Sequence, residues 1–366
     1  MGSKVALSIT LTIFLMGILI SVVDIQPAKA EIITVPDNYS TIQEAINHAK
    51  NGDTIFVRSN TYYENVVVNK TVLLIGENRE NTTIDARGTG KTVELTVNGI
   101  LVSNFTISYG EAGIHLTNSH NHIIRNNIIR KNTRGATGSY YTDTLYENNI
   151  VKENDYGLDF GQLSGPSSIN NTARYNEIYD NFAGIYVSAA NGNNTIEYNI
   201  IHDNNIGIVL DHTQNNNVIG NVIRNNNRAG GYDYGVYMRN AIQNVIKQNL
   251  FLANNVGIYF ENSNNNKIFH NNFEGNSMHT SGSSTNIWDD DYPSGGNYWD
   301  DYSGTDANSD GIGDIYYIID ADNTDRYPFM QECPGYIPEF SSFLILSLFM
   351  IATLFTVIVY KREHII

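Results

Sequence analysis

The sequence predicts an all-β protein, a right-handed parallel β-helix of about ten coils whose open start is covered by one capping helix. Three observations predict it. A Gly followed by alternating apolar residues recurs six times between Gly113 and Phe260. Asparagine triplets at five-residue spacing follow these glycines. Helical periodicity is confined to one short stretch near residue 41 and to the two apolar ends.

The glycines are Gly113, Gly157, Gly184, Gly207, Gly235 and Gly257, at intervals of 44, 27, 23, 28 and 22 residues. The unit is therefore near 22 residues, and the first interval holds two. The triplets include Asn171/Asn176/Asn181, Asn194/Asn199/Asn204 and Asn216/Asn221/Asn226, then Asn244/Asn249/Asn254 and Asn266/Asn271/Asn276. Three short strands per unit bury no core alone. Stacked coils do, because each strand pairs with its copy about 4.8 Å away. Asparagines at the corners are expected to stack in ladders and to take up the left-handed backbone there.

The elements follow in order. Residues 1–30 read as a signal peptide: a basic start at Lys4, an uncharged run from Val5 to Val23, and an Ala-x-Ala site ending at Ala30. Residues 31–53 form the N-terminal cap. Ser40 and Gln43 suit a capping box there, and Ile42, Ala45, Ile46 and Ala49 make one apolar face. Residues 54–285 are the β-helix repeats, and 286–335 an acidic closing module. Residues 336–366 hold Pro338, Glu339 and Phe340, an uncharged run of 18 residues from Phe343 to Tyr360, and the basic pair Lys361 and Arg362. This run is long enough to span a bilayer, with the body outside and the basic pair inside. The expected location is the extracellular face of the membrane.

Composition narrows the partners. A net charge of −16 and a pI near 4.8 repel phosphate backbones, so nucleic acid is excluded as a partner. The polarity rests on asparagine, 51 residues, rather than on charge. The single cysteine, Cys333, excludes an intrachain disulfide and a cysteine zinc site.

Equivalent positions of successive coils lie above one another. Residues one and three after each Gly are apolar and point inward, so residues two and four after it point out. The outward columns place Asp159, Tyr186, Tyr237 and Tyr259 beside Asp211, Arg239 and Glu261. Aromatic faces stack on sugar C–H groups, while carboxylates and guanidinium groups hydrogen-bond hydroxyls. These seven residues are the candidate site for an extracellular polysaccharide. The same columns also read as exposed-strand tyrosines beside a supporting charge ladder. No pair of acids recurs on adjacent coils of one column, so no catalytic residue is named. Lyase or hydrolase chemistry stays an alternative, as does a structural role in a surface layer.

A candidate calcium loop lies in the closing module. Asp306, Asn308, Asp310, Ile312 and Asp314 stand at positions 1, 3, 5, 7 and 9, with Gly311 at position 6. Position 12 is Tyr317 instead of the usual Glu.

Several stretches together resemble a known family. They are Ile42 to Ile46, Tyr62 to Val66, the Gly and Asn repeats, and a closing section from Asn297 to Tyr302 and from Asp322 to Met330. The layout is similar to NosD-type periplasmic copper-binding proteins and the wider carbohydrate-binding and sugar-hydrolase β-helix group. That resemblance implies copper handling or polysaccharide binding. Copper is implied by it alone: His120 and His122 are close in sequence with His115 upstream, but His202, His212, His270 and His279 occupy different positions in their repeats and form no column. The motif Pro338 to Phe340 resembles the PEF-type sorting signals of archaeal surface proteins, which implies processing of the tail.

Overall fold

The structure is a computed structural model, and it describes residues 30–161, 168–188, 192–227 and 233–333. The expected signal peptide, apart from Ala30, lies outside the described residues, as do the sorting motif and the membrane anchor. Among the described residues no helix is long and apolar enough to cross a membrane.

The chain winds into a parallel β-solenoid of right-handed type with three faces. The first sheet has 11 strands, from Ile32–Val35 to Lys267–Phe269, and the second has 11, from Asn60–Tyr62 to Tyr298–Trp299. The third has 10, from Val66–Val68 to Met278–Ser283. The stack is thus slightly longer than the ten coils expected. Inward columns are closed to solvent, as the alternation predicts: Ile114, Ala136, Leu158, Ile185, Ile208, Val236 and Ile258 are all 0% exposed.

The helix α1 (Ile42–His48) packs Ile42, Ala45 and Ile46 over the first coil. Its cap falls one residue later than expected. Thr41, not Ser40, accepts the backbone N–H of Glu44, and Ser40 instead donates to the Glu44 carboxylate.

The asparagines do form ladders. From Asn127 to Asn271, each backbone N–H donates to the side-chain oxygen of the Asn one coil on, at 2.9–3.1 Å. The side-chain amides donate to carbonyls of the preceding coil, so these polar groups are buried at little cost. The left-handed backbone falls elsewhere than expected. It belongs to the residue just before each rung, such as Asn148, Tyr175, Tyr198 and Gln248, with φ of 54–57°. Facing solvent, that position accepts Tyr as well as Asn, despite the usual strain.

Candidate functional site on the outer face of the third sheet

Strand register on the third sheet sets the outward surface. Asp159 pairs with Tyr186, Tyr186 with Val209, Val209 with Tyr237, and Tyr237 with Tyr259. Beside them Asp211 pairs with Arg239, and Arg239 with Glu261. The predicted columns are therefore real neighbours, but they divide into two kinds of residue.

Asp159 and Asp211 are buried, at 0% and 2% exposure. Asp159 is held by an ion pair with Arg134 and by hydrogen bonds from Thr137 Oγ1 at 2.9 Å and the Gly161 N–H at 3.0 Å. Burial pushes its carboxyl above the ordinary value, against the charge of Arg134. Asp211 receives Arg239 through two bonds of 2.8 and 2.5 Å, with Tyr186 OH at 3.0 Å and His212 Nδ1 at 2.6 Å. Burial raises this carboxyl, but these donors outweigh burial and hold it below the usual range. Both carboxylates are thus engaged within the protein.

The tyrosines remain partly open and lie together. Tyr237 and Tyr259 have ring centroids 5.8 Å apart, and Tyr234 stacks on Tyr259 at 4.7 Å. Farther along, Tyr156 meets Tyr186 edge-on at 5.3 Å. Ala183, Ile206 and Val209 fill the strip between them and are buried by it. The Tyr237 hydroxyl donates to Glu261, which is exposed.

Tyr156 and Tyr234 were missed in the sequence. Strict alternation places the residue before each Gly inward. The observed register pairs skip the glycine, as in Ala183 with Ile206 and Ile185 with Ile208, and the alternation breaks there. Apolar residues at that position, repeated coil after coil, were the available signal.

The calcium-loop residues fold on one another. Asp306 accepts the N–H groups of Asp310 and Gly311, Asp310 accepts that of Ile312, and Asp314 accepts that of Ala307. Asn308 Nδ2 donates to Asp310. All but Ile312 lie in an exposed or half-exposed turn.

A profile described as periplasmic copper-binding protein (NosD) matches residues 46–233 and 166–304, most of the chain. The chain belongs to the NosD family. Solved structures similar to this NosD chain include two Azotobacter vinelandii mannuronan C-5 epimerase A-modules. That of AlgE6 has a TM-score of 0.47 and 18% identity, covering 67% of this chain and 92% of that one. That of AlgE4 has a TM-score of 0.45 and 17% identity, covering 71% and 90%. Pectate lyase Pel9A has a TM-score of 0.43 and 14% identity, covering 70% and 78%. No curated protein matches.

The NosD name raises copper, and the residues answer for one oxidation state. Copper(I) selects thiolate, thioether and imidazole together. Cys333 is buried, and burial pushes its thiol up to about 12, so it stays protonated. Met238 is fully buried in the core. His122 is buried in an early coil, His202 faces Glu177 and Asp203, and His212 faces Asp211. These residues do not fit a copper(I) site. Among the described residues, one group of metal-ligating side chains does converge: His279, Asp300 and Asp301, with ligand atoms within 4.8 Å of one another.

Proposed function

We propose that this NosD-family protein is exported and holds an extended polysaccharide along the tyrosine strip of the third sheet. The carrying observation is the pair of tyrosine clusters, Tyr156 with Tyr186 and Tyr234 with Tyr237 and Tyr259, joined by one coil that presents Ile206 and Val209. At about 4.8 Å per coil the strip is roughly 19 Å long, room for several sugar rings. Aromatic faces supply stacking, and the exposed Glu261 at its edge accepts hydrogen bonds. Because Asp159 and Asp211 are taken up internally, the face is suited to holding a chain rather than cleaving it. A periplasmic family description agrees with export. In this reading the tail anchors the protein to the membrane, and calcium in the loop from Asp306 to Asp314 stiffens the closing module.

The test is affinity electrophoresis of the full-length protein through gels holding neutral and uronate-rich polysaccharides. Wild type should be retarded by at least one of them. Tyr237→Ala combined with Tyr259→Ala should lose that retardation at least tenfold while melting at the same temperature. Equal retardation of the double variant removes the strip as the site.

A further inference from the structure

His279 lies on the last strand of the third sheet, one coil beyond Tyr259, and Asp300 and Asp301 follow the last strand of the second sheet. Asn272 pairs with Tyr298 and Phe273 with Trp299, an offset of 26 residues, so Asp300 stands one coil beyond Glu274 and His279 meets it from the strand that follows. His279 Nε2 faces both carboxylates, 2.9 Å from Asp300 Oδ1 and 3.4 Å from Asp301 Oδ1. Those separations bracket the edge of a tetrahedron with metal–ligand bonds near 2.0 Å, which is about 3.3 Å.

Each of the three groups is aimed by a different neighbour. The imidazole is nine-tenths buried, with its centroid 5.9 Å from Phe273 and 5.8 Å from Trp299. Its Nδ1 lies 3.5 Å from the side-chain amide of Asn276, the last rung of an asparagine ladder. Asp300 receives the Gly275 N–H on Oδ2, which leaves Oδ1 toward His279. Asp301 receives the Tyr317 hydroxyl at 3.0 and 3.2 Å, and Tyr317 in turn stacks on Trp299 at 4.4 Å. Outer partners of this kind orient ligands in metal sites.

The charge balance also points to a cation. Among the described residues no Lys or Arg pairs with Asp300 or Asp301. Glu274 is pushed up by burial and then by Glu332 and Asp300. The neighbourhood is therefore negative beyond what one imidazole offsets.

We propose that His279, Asp300 and Asp301 form a site for one divalent first-row ion of the zinc(II) or copper(II) kind. One nitrogen and two carboxylate oxygens suit such an ion, and suit copper(I) poorly. The set also differs from the all-oxygen shell that calcium takes. The site stands independently of the glycan strip.

The test uses full-length protein stripped of metal and then dialysed separately against Zn²⁺, Cu²⁺, Ca²⁺ and reduced copper. One equivalent of Zn²⁺ or Cu²⁺ should be retained. Bound Cu²⁺ should quench tryptophan emission, because Trp299 adjoins His279. Asp301→Asn, at an exposed position, and His279→Gln should each lower affinity at least tenfold, whereas His212→Ala should leave it unchanged. The Asp301 variant keeps the test independent of folding at the buried histidine. Retention unchanged in both variants, no retained divalent ion, or retention of copper(I) alone would each overturn the assignment.

Discussion

The backbone N–H of Asn297 donates to the Asp325 carboxylate at 2.7 Å, so the longest asparagine ladder ends on an aspartate from the closing module. Trp299 Nε1 donates to the same oxygen at 3.0 Å. Two residues earlier, Asn323 does the same for a second ladder, accepting the Asn286 N–H and Trp288 Nε1, both at 2.9 Å. One short strand, Thr324–Asp325 with its flanking Asn323, thus supplies final rungs to two stacks. It closes an end that would otherwise present unpaired donors and a sheet edge.

Removing a rung should therefore loosen the end of the solenoid first. Asp325→Ala leaves the Asn297 and Trp299 donors buried without partners, and each orphaned donor costs about 1–3 kcal/mol. Urea denaturation should show a loss of about 3 kcal/mol, and tryptophan emission should shift red before the far-ultraviolet signal of the coils changes. Asn323→Ala should behave alike through Trp288. Simultaneous loss of both signals at unchanged midpoint would remove the capping role.

Acid should act in opposite directions at Asp325 and at the buried His122. Burial pushes Asp325 up to about 6, so the unfolded chain releases this proton more readily. That contribution is full below pH 3.8 and is lost as pH rises to about 6, an amount near 3 kcal/mol. Burial holds His122 down to about 4, then the charge of His120 adds to it. Its contribution is full above pH 6.5 and is lost as pH falls toward 4. Burial, then the charge of Lys91, holds His115 down to about 4 as well, so wild type should melt lower as pH falls from 6.5 to 4. Asp325→Asn should steepen that decline, and His122→Asn should nearly flatten it. Parallel profiles for all three proteins would refute the opposition.

Much of this was legible in the sequence. The Gly and Asn spacing gave the coil, because both residue types are demanded by backbone geometry that repeats every turn. The outward columns were legible for the same reason, but not what covers them. Asp159 is fully buried by Arg134 and Thr137, which come from the preceding coil, where no Gly-apolar-x-apolar pattern marks the strand. Tyr156 and Tyr234 were hidden by the break in alternation at glycine. The histidine columns give no sign of the His279 cluster, because its partners Asp300 and Asp301 come from the closing module, which lacks the repeat. The expected left-handed asparagines were misplaced by one residue, since side-chain stacking and backbone strain are divided between adjacent positions.

The glycine row tests the stacking itself. A Cβ on Gly207 would meet the Gly235 carbonyl oxygen at 2.5 Å, and backbone cannot yield there without opening the coil. Gly275 has φ of +58° but nothing within 4 Å of its missing Cβ. Gly207→Ala should cost about 3 kcal/mol or prevent folding, as overpacking does. Gly275→Ala should cost only the left-handed strain, about 1 kcal/mol. Equal losses measured by urea denaturation would mean that close approach is not what selects the glycine.

Arg239 and Tyr259 sit on adjacent coils of the same face but should fail differently when removed. Arg239 holds the buried Asp211 through two hydrogen bonds while staying about 40% exposed itself. Removing one partner of a buried pair leaves the other charge uncompensated, which costs about 3–5 kcal/mol when both are enclosed. Exposure of the guanidinium lets water screen the pair, so Arg239→Ala should cost about 2 kcal/mol. Asp211 should then titrate nearer the ordinary carboxylate value, since its strongest donor is gone. Tyr259 makes ring contacts with Tyr234 and Tyr237 at the surface, and its loss leaves no buried polar group unpaired. Tyr259→Ala should change stability by under about 1 kcal/mol while weakening retardation by polysaccharide. If Arg239→Ala instead melts like wild type and abolishes retardation, the arginine serves the ligand rather than Asp211. The charge ladder would then belong to the binding surface and not to the wall beneath it.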